Sequence, residues 1–154
     1  MKKQFLTIFS IAVILFAGCG TLPVPEVPAI DLYGTIDIRI MGGKDEFKYE
    51  DYSGMFKVNG EEKIFAIYLS DEYDVPRGKI IVEKGEVKVT DFVLRDSVKK
   101  ALIYWPYIFG WGEEIENVEL EYTKWADTSH GKFPEEVNMK TSKVTIYLKL
   151  RYGD

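Results

Sequence analysis

The sequence predicts a mainly β domain: a strongly curved antiparallel sheet, or incomplete barrel, of about seven or eight strands with one inserted helix. Three observations carry this expectation. Between residues 29 and 152 apolar and polar residues mostly alternate with the period of two that a half-buried strand requires. Turn sequences rich in Gly, Asn and Asp separate the alternating runs. One stretch, 94–105, instead spaces Val98, Ala101, Leu102 and Trp105 as a single helical stripe. One short helix cannot cover so many strands, so a sheet with one apolar face has to curl around it.

The chain opens with a signal. Lys2 and Lys3 are followed by an apolar run over 5–16, then by the small residues Ala17 and Gly18 and by Cys19. Charge, short apolar stretch and small-residue cleavage site, in that order, mark a secretory signal over 1–18. The run is shorter than the ~20 residues a spanning helix needs. Phe16-Ala17-Gly18-Cys19 resembles the bacterial lipobox, in which a diacylglyceryl group is placed on the Cys; Phe16 stands where that motif usually has Leu. Cys19 is the one Cys of the chain, so the domain is held by its core and not by disulfides. Removal of the signal leaves 136 residues, enough for one domain over 29–154, tethered by 19–28 with Pro23, Pro25 and Pro28. Without Lys2 and Lys3 there are 18 basic and 25 acidic residues, a formal balance of −7. That balance argues against a nucleic-acid partner, and it leaves the acylated Cys19 as the sole attachment to the membrane. Gly20, not an aspartate of the kind that retains some lipoproteins in the inner membrane, follows Cys19. The expected location is therefore the periplasmic face of a bacterial outer membrane.

In the first strand Leu32, Gly34, Ile36, Ile38 and Ile40 alternate with Asp31, Tyr33, Thr35, Asp37 and Arg39. Gly34 on the apolar face signals close approach of another element. A turn at 41–45 leads to a second strand, 47–58, interrupted near Ser53-Gly54. Asn59-Gly60 is a hairpin signal, with the return strand over 62–69. A polar loop, 70–78, precedes a hairpin of 79–83 and 86–92 about Lys84-Gly85. In the helical stretch Asp96 is the expected N-cap, and Pro106 should end the element. Strands over 115–125, 132–140 and 142–152 complete the chain.

Little in the sequence builds a catalytic centre. His130 is the single His and sits in a polar turn, and no Ser lies in a nucleophile-elbow sequence. One His and one acylated Cys cannot build a zinc site, and Asp71-Glu72-Tyr73-Asp74 lacks the liganding order of a calcium loop. No cofactor, metal or enzymatic activity is expected. The informative feature is the aromatic content, 14% of residues, densest at Tyr104, Trp105, Tyr107, Phe109 and Trp111. These rings are either core packing or the wall of a cavity for an apolar ligand.

Three stretches resemble the LolA/LolB superfamily of lipoprotein carriers and receptors. They are the opening strand 32–38 with its inward Gly34; the run 64–92 leading into the helix and the Pro-to-Gly stretch 106–112; and the closing hairpin from Phe133-Pro134 to residue 152. The resemblance implies an incomplete barrel with a helical lid over an apolar cavity that binds acyl chains or a lipoprotein without catalysis. The expected lining is Ile36, Ile38, Phe56, Val98, Leu102, Trp105, Trp111, Leu120, Ile146 and Leu148. The loop after the third strand, with Tyr73 and Val75, is the expected membrane-facing element. The N-terminal helix usual in that superfamily is replaced here by the proline tether, and the chain is shorter. The alternative is an envelope lipoprotein of the same fold that pairs with another envelope protein and takes no small ligand. Replacing Cys19 with Ala is expected to release a folded domain from membranes into the soluble fraction; a variant that still sedimented with membranes would contradict the anchor.

Overall fold

The computed structural model describes residues 25–42, 50–112 and 115–153; the signal, Cys19, residues 20–24, most of the expected turn at 41–45 and the first residues of the strand expected over 47–58 lie outside them. Among the described residues eight strands form one antiparallel sheet: β1 (Asp31–Gly42), β2 (Glu50–Asn59), β3 (Ile64–Ser70), β4 (Pro76–Glu83), β5 (Glu86–Thr90), β6 (Glu119–Thr128), β7 (Gly131–Lys140) and β8 (Val144–Tyr152). Their order is β5-β4-β3-β2-β1-β8-β7-β6, with no pairing between the outer strands β5 and β6, so the curved sheet stays open. Helix α1 (Asp96–Leu102) and a 3-10 helix (Trp105–Phe109) are inserted between the two edge strands.

The period-two pattern sets which face is buried. In β1 every even position from Leu32 to Ile40 is buried, and in β8 Val144, Ile146, Leu148 and Leu150 are. These side chains join Phe56, Phe65, Ile67, Ile80, Val82, Val137 and Met139 in one hydrophobic cluster on the face that α1 and the 3-10 helix cover. At roughly 25 cal/mol per Å² of apolar surface removed from water, this burial is the main stabilising term. The other face is wet. Arg39 grips Asp51 through two bonds of 2.8 and 3.0 Å, and Asp37 accepts from Ser53 and Arg151.

Several elements differ from the sequence expectation. The helical stretch divides. α1 ends at Leu102, a tight turn follows in which the Tyr104 N–H donates to the Ala101 carbonyl, and Pro106 sits near the start of the 3-10 helix instead of terminating α1. Proline lacks an N–H but suits a first helical turn, so it starts the second segment. Arg95 occupies the N-cap position without a side-chain cap bond, and Asp96 is the first helical residue, favourable there for the helix dipole. β2 runs through Ser53-Gly54 unbroken, because both pair with β1 and β3. β4 starts at Pro76, which shortens the preceding loop, and β6 starts at Glu119, not 115, since Ile115 forms only an isolated bridge with Val118. The turn at Lys84-Gly85 is as expected, with positive φ at both residues, the geometry that matches strand twist.

The end of the proline tether is docked. Val27 is buried in the main cluster; the Ile30 N–H donates to the Pro28 carbonyl, and the Gly60 N–H donates to the Ile30 carbonyl. Residues 25–28 thus lie across the end of the sheet where β2 turns into β3. The loop after β3 is at the opposite end.

Gly34 sits opposite Phe56 on one side and Tyr152 on the other. A Cβ there would overlap the Arg151 carbonyl oxygen and stand 3.0 Å from the Phe56 ring. Gly34→Ala is expected to destabilise the fold by about 1–3 kcal/mol through overpacking, read as a lower urea midpoint with an unchanged slope. An unaltered midpoint would contradict the close approach.

Candidate apolar-ligand site

The 3-10 helix places its aromatic residues at the centre of the curved sheet. Phe109 lies 5.8 Å from Phe56 of β2 and 5.3 Å from Trp111, ring centroid to centroid. Trp111 lies 6.0 Å from Phe133 of β7, Phe133 lies 5.7 Å from Tyr152 of β8, and Tyr152 returns to Phe56 at 5.7 Å. The five rings close a circuit that joins both halves of the sheet to the segment between its edges. Trp105 extends it by stacking on Phe65 of β3 at 5.5 Å. Aromatic pairs at these separations contribute about 0.5–1.5 kcal/mol each beyond area burial.

Of the ten residues expected to line a cavity, Ile36, Ile38, Phe56, Val98, Leu102, Trp105, Ile146 and Leu148 are buried members of the main cluster. Trp111 and Leu120 are partly buried against its margin. The structure therefore brings all ten to one hydrophobic body, and only Leu120 of them lines the recess described next.

That recess, about 620 Å³, opens between the 3-10 helix and the edge strand β6. Among the described residues, Tyr107, Ile115, Val118, Leu120 and Tyr122 supply its apolar wall, and Glu119 and Gly112 also line it. Tyr107 and Ile115 are buried yet stand outside the main cluster, so their side chains serve the recess. The Tyr122 hydroxyl donates to the Tyr107 carbonyl and fixes the wall to the 3-10 helix. Burial raises the Tyr122 hydroxyl above its usual pKa, so it remains a neutral donor. The volume falls within the 300–1,000 Å³ typical of small-molecule sites, and the aromatic and aliphatic side chains share the lining with a comparable amount of polar surface, a combination that suits a ligand with an apolar tail and a polar head.

Of the residues that form it, sequence reasoning singled out Leu120 but not Val118 or Tyr122, although the three alternate with Glu119 and Glu121. Tyr107 belonged to the aromatic run.

Two open grooves on the wet face, about 600 and 660 Å³, carry charges that already pair with one another, among them Arg39 with Asp51 and Lys149 with Glu136. The hydrogen bond from Arg39 holds the Asp51 carboxyl below the usual range. In the β3–β4 loop Tyr73 and Val75 are exposed at 78% and 47%. Beneath them the Asp71 carboxylate is held low by the backbone N–H groups of Val75 and Tyr73 and by Arg77, so it organises the turn. His130 is exposed in the β6–β7 turn.

No family model matches the sequence, and no curated protein matches it. Among solved structures the chain is similar to a crystal structure of a LolA superfamily protein from Nitrosomonas europaea. The two share 10% identity over 84% of this chain and 86% of that one, with a TM-score of 0.50. The protein has the LolA-like fold: an open, curved antiparallel sheet with helical insertion.

Tyr152 gives the circuit a titratable member. Its hydroxyl donates to the Pro134 carbonyl at 2.7 Å, and burial raises its pKa far above the usual value. The unfolded chain releases this proton near pH ~10. The fold holds it more tightly, so its contribution is intact below that pH and is lost as the pH climbs toward the folded-state value. Urea midpoints measured from pH 9 to 11.5 are expected to fall less steeply for Tyr152→Phe than for the parent; equal slopes would contradict this role.

Proposed function

We propose that this chain is a non-enzymatic, lipid-anchored protein of the bacterial envelope. It holds an acyl chain, or another ligand with an apolar tail, in the recess between the 3-10 helix and β6. The observation that carries this reading is the recess itself: an open volume walled by Tyr107, Ile115, Val118, Leu120 and Tyr122 at the margin of an otherwise packed interior. The lipobox-like sequence ending at Cys19 supports the anchor and an outer-membrane, periplasmic location. The LolA superfamily fold is consistent with a carrier-type role.

Within this reading Tyr73 and Val75 form the membrane-contacting loop. The six residues from Cys19 to position 24 span at most about 20 Å when extended, and β3 spans a similar length. The tether is therefore long enough for Cys19 and that loop to meet one bilayer.

A second reading, a protein-interaction lipoprotein, draws on the wet face. There Met55 pairs across strands with Tyr68, and Tyr33 sits diagonally to Met55, all three about half exposed. One measurement separates the two. The Cys19→Ala chain is expected to bind a fluorescent sixteen-carbon fatty acid saturably, and Leu120→Glu is expected to weaken that binding at least tenfold while leaving the thermal midpoint within a few degrees. No saturable binding, or binding indifferent to Leu120→Glu, would overturn the recess as the site and favour the interaction reading.

A further inference from the structure

We infer that the recess beside β6 shelters an acyl chain carried on Cys19 of the same molecule whenever the lipidated protein is away from a bilayer. This rests on the reading above, that Cys19 is acylated and that the recess accepts an apolar tail.

The basis is where the described chain begins. Pro25 lies against Gly112: a Cβ at that glycine would stand 2.9 Å from the Pro25 Cβ and 2.7 Å from the Tyr107 ring. Gly112 and Tyr107 both line the recess. Val27 anchors the same segment in the core, the Pro28 carbonyl accepts from the Ile30 N–H, and the Ile30 carbonyl accepts from Gly60 in the β2–β3 turn. The tether therefore emerges at the rim of this recess. Five residues separate Cys19 from Pro25, so the Cys19 Cα lies within about 20 Å of that rim in any conformation. A thioether-linked chain of membrane-lipid length adds further reach, so its tail can reach Leu120 and Tyr122.

A tethered ligand meets its site at an effective concentration near the millimolar range for a short linker. In water an acyl tail gains by leaving the solvent, and the nearest apolar wall belongs to its own chain. A bilayer covers the tail more completely than an open recess can. Membrane insertion of the anchor then vacates the recess, which becomes available to a second apolar ligand only once the protein is in place. Anchor and site are in this way coupled through residues 25–28, with Gly112 as the contact point.

The test uses the full lipidated protein, extracted in detergent, with acylation of Cys19 established by intact mass. A photoreactive benzoylphenylalanine replaces Leu120, or in a second variant Val118, so that failure of one variant to fold leaves the other; the same group at Tyr33 on the wet face is the control. After detergent removal and mixing with an equal amount of 15N-labelled protein, irradiation is expected to join the peptide bearing position 120 or 118 to the acylated Cys19 peptide. Both peptides should carry the same isotope label, and the control should form no such link. Addition of phosphatidylethanolamine–phosphatidylglycerol vesicles is expected to reduce the cross-link at least fivefold. Mixed-label links would mean that a second copy supplies the tail; links to co-purified phospholipid alone, or none, would mean that the recess does not receive its own anchor. Each of those results overturns the inference, while fatty-acid binding by the Cys19→Ala chain would still stand. An unmodified Cys19 would overturn both.

Discussion

The fold depends on an absence at Gly34. This position faces the core between two aromatic cross-strand neighbours, Phe56 on β2 and Tyr152 on β8. With no side chain between them the two rings meet edge to face across β1, and that contact closes the circuit through Phe133, Trp111 and Phe109. A methyl group at position 34 would separate them and press on the β8 backbone. The sheet can therefore curl tightly at β1 while the segment between its edges is held in its concavity mainly by ring contacts, with the Tyr122–Tyr107 and Arg95–Glu50 hydrogen bonds at its margins. Curvature and lid position share one cause.

That cause also locates the candidate site. A concavity filled by Phe56, Phe65, Trp105 and Phe109 has little room at its centre, so accessible apolar surface is displaced to the margin where the sheet stops at β6. There the 3-10 helix leaves Tyr107 turned away from the main cluster, and β6 turns Leu120 and Tyr122 toward it. The strap at 25–28 passes the same margin. Edge strand, 3-10 helix and the segment 25–28 converge there because each has apolar residues to bury: Val27, Trp105, Ile108 and Phe109 enter the main cluster, and Leu120 and Tyr122 pack against its margin.

Much of the architecture was legible in the sequence because strand alternation is a local property with a fixed period. The even positions of β1 and β8 declare their buried face with almost no exception. The close approach at Gly34 was legible for the same reason, since a glycine in an otherwise aliphatic face needs an explanation. The division of the helical stretch was less so: Val98, Ala101, Leu102 and Trp105 fit one stripe, yet Pro106 and the pull of Phe65 on Trp105 separate the last of them into another segment. The recess was only partly legible. Inward-facing residues can be named from alternation, but whether they meet a neighbour or a void depends on where the sheet ends, and that follows from the whole chain. Val27 was hidden by its proline-rich context, which reads as spacer although the residue is buried.

The central claim is that the interior is structural and that the ligand is held at the β6 margin. The most direct measurement follows methyl resonances of the Cys19→Ala protein during titration with a sixteen-carbon fatty acid. The account predicts saturable shifts at Ile115, Val118 and Leu120, with Ile36, Ile146 and Leu148 nearly unmoved. Large shifts at Ile36, Ile146 and Leu148 with a silent Leu120 would mean that the core itself opens to the ligand, and would contradict the account.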